Sequence, residues 1–218
     1  MSPFRAPPVR IASLMAALGL AVTLGGCVTL FPKSKPAQLY RFGEGMTAQT
    51  LASPASAMAP VGLHLSTGFT RAAEGDRLLT VSDSQTAYIA QSRWVAPASV
   101  LFDEAAARAF ETAGAPFHLL RRGDVGMAPF TLRLDVETFE ADYGPAWSGS
   151  PTVVVRVRAL LTGPPGHAPA AQVFESRQPA EENRVGAIVR AYDAATSQAL
   201  GQVVGWTTAE AAALSSSG

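Results

Sequence analysis

Cysteine, histidine and paired carboxylates are the side chains that most often carry chemistry. This 218-residue chain is sparing with the first two, having one cysteine, Cys27, and three histidines. A single cysteine excludes an internal disulfide framework and a CxxC-type zinc site. His64 sits in an alternating pattern next to Leu63 and Leu65, His118 lies beside Phe117 and Leu119, and His167 falls among prolines. Their flanks make the first two strand residues and the third a loop residue, with no partner at metal-ligand or triad spacing. Asp135 and Glu137 stand two apart, which on a strand puts both carboxylates on one face, as general-acid pairs sometimes stand. Cross-strand pairing with basic side chains is the plainer use of them. GxxxxGK[ST], GxGxxG, GxSxG and HExxH are all absent. No catalytic residue, no metal and no cofactor are therefore expected, and ATP binding through a P-loop is excluded.

The chemistry that remains belongs to Cys27. The chain opens with Arg5 and Arg10 as its only early charges, followed by an apolar run from Ile11 to Leu24 and then Gly25-Gly26-Cys27. A positive start, a short apolar stretch and small residues at the exit make a secretory signal. The run is shorter than the roughly 20 apolar residues a membrane-spanning helix needs. Leu24-Gly25-Gly26-Cys27 resembles a bacterial lipobox, in which the thiol takes a diacylglyceryl group, the signal is cut before the cysteine, and the new amino group is acylated. Several acyl chains at about 0.8 kcal/mol per buried CH₂ give lasting attachment, where one chain binds only marginally. Position 28 is Val rather than the Asp that holds many Gram-negative lipoproteins at the inner membrane, which implies the outer membrane. Processing would leave 192 residues with 15 basic and 17 acidic side chains, because Arg5 and Arg10 go with the signal.

The whole sequence balances 17 basic against 17 acidic residues, which argues against a nucleic-acid binder. It is 48% hydrophobic, too rich for a disordered chain. We expect a signal over 1–26, a lipidated tether over 27–38, one periplasmic domain over 39–214 and a frayed tail over 215–218. Pro32 and Pro36 keep the tether extended. A short strand is expected at 39–42 and a Gly/Ala/Ser-rich loop at 43–59. Strands are expected at 61–66, 78–81, 86–95, 116–121, 130–137, 153–161 and 172–177, with period-two alternation at 61–66, 130–137 and 153–161. In the sixth and seventh of these eight strands, Asp135 and Glu137 are expected to face Arg156 and Arg158 on a wet surface. A helix is expected to open at Pro97-Ala98-Ser99, with Ser99 as its N-cap, and to stop at Gly114. A second runs from about Arg184 to Ala211 behind an Asn183 cap, with Gly186, Gly201 and Gly205 weakening it. Together these give an α+β fold, a two-layer sandwich in which one mainly antiparallel sheet carries two helices on one face.

Two aromatic groups stand out as possible partner contacts. Trp94, next to Arg93, either packs under the following helix or anchors a partner, since Trp and Arg are enriched at interface hot spots. Tyr143 and Trp147, with Phe139 nearby, form either a core edge or an apolar patch.

Lipobox, Tyr40-Arg41-Phe42, the block from Tyr88 to Pro97 with its Arg93-Trp94-x-x-Pro97 entry into a helix, and a C-terminal helix occur in that order. This arrangement resembles the ABC-type transport auxiliary lipoprotein family. The resemblance implies a non-enzymatic lipoprotein held at the outer membrane by Cys27. Its partner would be the MCE-domain protein of a lipid transport system, together with the permease and ATPase of that system. A homo-oligomer is left open, as is a lipoprotein that itself binds a lipid or glycolipid.

Overall fold

A computed structural model describes residues 36–45, 61–120, 124–145 and 147–216. Cys27 and its signal, the tether up to residue 35, most of the loop at 43–59 and the last two residues lie outside the described residues.

Among the described residues, eight strands and two helices follow one another as β1 (Gln38–Tyr40), β2 (Val61–Phe69), β3 (Arg77–Ser82), β4 (Gln85–Trp94), α1 (Ala98–Thr112), β5 (Phe117–Leu120), β6 (Phe130–Asp142), β7 (Thr152–Thr162), β8 (Ala170–Pro179) and α2 (Val185–Ser216). The order matches the sequence pattern. The sheet does not: it is mixed, and not mainly antiparallel. β1 with β4, β2 with β5, β2 with β6 and β3 with β6 are all parallel. Only β3–β4, β6–β7 and β7–β8 are antiparallel. Alternation reports which side chains face the core and says nothing about a strand's neighbour or direction. Parallel neighbours need long crossovers, and here the run of β3, β4 and α1 carries the chain from β2 to β5.

β6 is the axis of the sheet. One edge carries β7, with Thr131 opposite Thr162 and Asp142 opposite Thr152. The other edge is shared by two strands in succession, β2 against residues 130–136 and β3 against Ala141 and Asp142. Expected to end near Glu137, β6 runs on to Asp142 because the register slips between Val136 and Thr138. The extra residue flips the inward face from Phe130, Leu132, Leu134 and Val136 to Phe139 and Ala141, all at most 2% exposed. A two-residue turn joins β3 to β4, with Asp83 at φ 51°, a left-handed conformation that Asp tolerates.

α1 lies against β2, and α2 lies against β6, β7 and β8; the two helices also touch each other. α1 begins after Pro97, and Ser99 makes no cap: its hydroxyl donates to the Glu74 carbonyl instead. The helix closes where expected, with Gly114 at φ +61°. α2 is 32 residues long and passes through all three of its glycines. Its inward positions from Ala187 to Ala211 recur every three or four residues and are buried, so packing outweighs the loss of about 1 kcal/mol per glycine. Asn183 spends its side-chain oxygen on the Tyr143 hydroxyl, 2.8 Å away.

Between sheet and helices an aromatic cluster fills the core. Phe139 meets Phe42, Phe69 and Tyr192 at 5.0, 5.3 and 4.8 Å between ring centroids, and Trp94 stands edge-on to Phe42 and Tyr192 at 5.0 and 5.3 Å. Tyr192 is fully buried, and its hydroxyl donates to the Leu79 carbonyl at 2.9 Å. Burial pushes that phenol well above its ordinary range.

Candidate functional site

The segment leading in from the N-terminus is fastened to the body residue by residue. β1 lies parallel to the end of β4, Tyr40 beside Trp94, and the Val95 amide donates to the Tyr40 carbonyl at 2.8 Å. Two residues on, Phe42 drops into the aromatic cluster and is 2% exposed. The chain then turns at Gly43 with φ +81°, where a Cβ would come within 2.7 Å of the Ala105 Cβ. One carboxylate oxygen of Asp193, on α2, accepts the backbone N–H groups of Gly43, Glu44 and Gly45 at 2.6, 3.2 and 3.5 Å. From α1, Arg108 donates to the Gly43 carbonyl at 2.7 Å. Both helices and the sheet thus hold the six residues from Tyr40 to Gly45. Sequence reasoning passed over Gly43, Asp193 and Arg108, because their partners lie 65 and 150 residues apart along the chain. The readable signal was an aromatic residue followed by Gly-Glu-Gly.

Arg93 and Trp94 part company across the strand. Trp94 is 2% exposed and offers no ring surface to a partner. Arg93 faces outward and pairs with both oxygens of Asp76 at 2.9 and 2.7 Å. Beside it Arg77 stacks its guanidinium 3.8 Å over the Tyr88 ring.

Tyr143 and Trp147 meet at the far end of β6, with ring centroids 5.4 Å apart. The Trp147 indole N–H donates to Gln85 at the β3–β4 turn, and the Ser82 hydroxyl donates to the Gly144 carbonyl. Trp147 remains 45% exposed, a flat aromatic face held by its hydrogen bond to Gln85 and its contact with the Tyr143 ring. Phe139 does not join this pair; it belongs to the core.

The outer face of the sheet carries a charge chain. Glu137, Arg156, Glu175 and Arg177 link β6, β7 and β8 through contacts of 3.1, 3.1 and 2.7 Å. Asp135 sits opposite Arg158 in register, but its carboxylate takes Arg133 of its own strand at 3.0 Å. Hydrogen bonds from Arg177 and Arg156 hold Glu175 below its ordinary value. Nearby, burial and the Asp142 carboxylate raise Glu140.

A groove of about 560 Å³ opens between β2 and α1, lined by the stretch His64–Thr67, by Ser99, Val100, Asp103 and Ala107 of α1, and by Leu119 of β5. The Thr67 hydroxyl donates to Asp103 there at 3.2 Å. Among the described residues no cluster of His, Cys, Asp and Glu could hold a metal, and no helix is long and apolar enough to cross a membrane.

No curated protein sequence matches the chain. Among solved structures, protein XCC0632 from Xanthomonas campestris, assigned to DUF330, is 22% identical with a TM-score of 0.67, covering 80% of this chain and 97% of that one. An uncharacterized protein at 13% identity has a TM-score of 0.59 and covers 78% of this chain and 97% of its own. Both likenesses speak for the fold. Residues 71–204, from the end of β2 to the middle of α2, match the family described as ABC-type transport auxiliary lipoprotein component. That span takes in more than half the chain, including the Arg93-Trp94 step into α1, and the chain belongs to this family.

Proposed function

We propose that the protein is an outer-membrane lipoprotein, a non-enzymatic accessory subunit that docks the periplasmic MCE conduit of an ABC lipid transport system. The family match over residues 71–204 carries this reading. The Leu24-Gly25-Gly26-Cys27 sequence supports lipidation at Cys27, and Val28 supports the outer membrane. In the docking role, Trp147 and Tyr143 present the aromatic surface and Arg93 lies on the outer side of β4. Trp94 acts from below, fixing the end of β4 and the start of α1. The space between sheet and helices is filled by the aromatic cluster and by fully buried side chains such as Leu132, Leu134 and Leu200.

Co-purification from native membranes tests the reading. The full-length chain should bring down the MCE subunit, and Trp147→Ala should lower the yield several-fold with an unchanged melting temperature. Cys27→Ser should move the protein out of the membrane fraction. Reproducible failure to recover the MCE subunit from membranes that contain it would remove the proposal.

A further inference from the structure

Two arginines face each other across β3 and β4. Arg77 and Arg93 are opposite neighbours in the antiparallel register, a like-charge placement that weakens a sheet unless something offsets it. Each guanidinium has its own fixture. Arg93 donates from one terminal nitrogen, Nη1, to both oxygens of Asp76 at 2.9 and 2.7 Å. Arg77 lies 3.8 Å over the Tyr88 ring. The Tyr88 hydroxyl donates to the Ala72 carbonyl at 2.9 Å, which pins that ring. Stacking holds a guanidinium by its flat face and leaves the N–H groups directed outward in its plane.

The strand bends at the same place. From Leu79 to Arg77 β3 advances two residues, whereas from Tyr88 to Arg93 β4 advances five. The surplus bows out of the ladder. Within it Gln91 adopts φ 54°, a left-handed conformation that is uncommon outside Gly, Asn and Asp. The Ser92 hydroxyl donates back to the Ala90 carbonyl at 3.3 Å and tightens the bend. A pocket of about 220 Å³ lies against this bulge, lined by Arg77, Tyr88 and the run from Ile89 to Arg93. A like-charge pair and a left-handed glutamine each work against the fold, and both converge on one pocket. Departures of this kind collect at functional sites.

We propose that this pocket binds a single phosphate group, as a phosphodiester or as inorganic phosphate, with Arg77 and Arg93 as its clamp. With Asp76 paired to Arg93, the two guanidiniums keep a net positive charge for an anion. A tetrahedral phosphate offers oxygens to two planar forks approaching from different sides, whereas a carboxylate presents two oxygens in one plane and suits one fork. A bound anion also shields the two arginines from each other, so occupancy stabilises the β3–β4 pair. The site stands apart from the aromatic surface at Trp147 and does not depend on the docking function.

Titration calorimetry on the full-length chain in dodecylmaltoside tests this with three probes. Inorganic phosphate is the anion alone, dihexanoylphosphatidylglycerol is the anion on a lipid, and dihexanoylglycerol is the lipid without the anion. At least one phosphate compound should bind at a single site per chain, and saturation with it should raise the melting temperature. Binding of inorganic phosphate alone assigns the free anion; tighter binding of the phosphatidylglycerol assigns a lipid headgroup. Arg77→Gln should weaken binding at least about ten-fold and cancel the thermal shift. Arg77→Lys keeps the charge but loses the fork, so it should recover only part of the affinity. Arg133→Gln removes the same charge on β6 and should leave the affinity unchanged. Equal binding of dihexanoylglycerol, an affinity for acetate equal to that for phosphate, or phosphate binding that ignores Arg77 would overturn the proposal, as would no binding of either phosphate compound. Recovery of the MCE subunit is a separate measurement, and its outcome does not bear on this one.

Discussion

Phe42 and Leu39 lie three residues apart and have opposite fates. Leu39 is 62% exposed on β1, whereas Phe42 is sealed between Trp94 and Phe139. Phe42→Ala should therefore cost about 3–5 kcal/mol in chemical denaturation, and Leu39→Ala no more than about 0.5 kcal/mol. Gly43→Ala adds a Cβ at a left-handed φ and against Ala105, so it should destabilise by more than about 1 kcal/mol, although alanine is the better residue in most settings. Tyr192→Phe keeps the ring but strips the buried Leu79 carbonyl of its partner, a loss of about 1–3 kcal/mol by the same measurement. None of these contacts is visible along the chain, because each joins residues from different elements.

At the scale of elements, the sheet's outer face and the β1 junction make separate predictions. Glu175 is held below its ordinary value by two arginines, so its share of stability is present above about 4.5 and is lost as pH falls through its lowered folded-state value. Glu175→Gln should lower the melting temperature slightly at pH 7, as befits an exposed network, with the difference from wild type closing as pH falls through the lowered folded-state value. Glu140 has the opposite sign: its raised value favours the protonated form in the folded state, so its contribution fades as pH rises. At the junction, Asp193→Ala removes the acceptor for three backbone amides. Hydrogen exchange at Gly43–Gly45 should speed up with little change elsewhere, and equal protection in the variant would contradict the assignment.

At the scale of the molecule, β1 and Phe42 belong to the same compact unit as the rest of the sheet and both helices. Ala37–Gly218 cluster together by contacts, and β1 and Phe42 are part of that body. A soluble variant beginning at Pro36 should melt like the full chain, whereas one beginning at Val61 should melt at least about 10 °C lower, given the several kcal/mol carried by Phe42 and its neighbours.

What could be read along the chain followed from local rules. Alternation placed β2, β6 and β7, apolar runs bounded by turn residues placed β3, β4, β5 and β8, the three-to-four spacing placed both helices, and Gly114 marked the end of α1. The extent of β6 escaped because alternation breaks at the Glu137 bulge, where the inward residues change parity. Ser99 and Asn183 looked like caps by type, but tertiary partners claimed their side chains. By itself the sequence determined the element order, the charge balance, the absence of catalytic motifs and the position of the single cysteine, since each depends only on residue types and near neighbours. Only the tertiary structure decided that two strands share one edge of β6, that Trp94 is buried while Trp147 is presented, and that Asp193 holds the incoming chain. Those outcomes depend on the direction and pairing of strands far apart in sequence, which local periodicity does not encode.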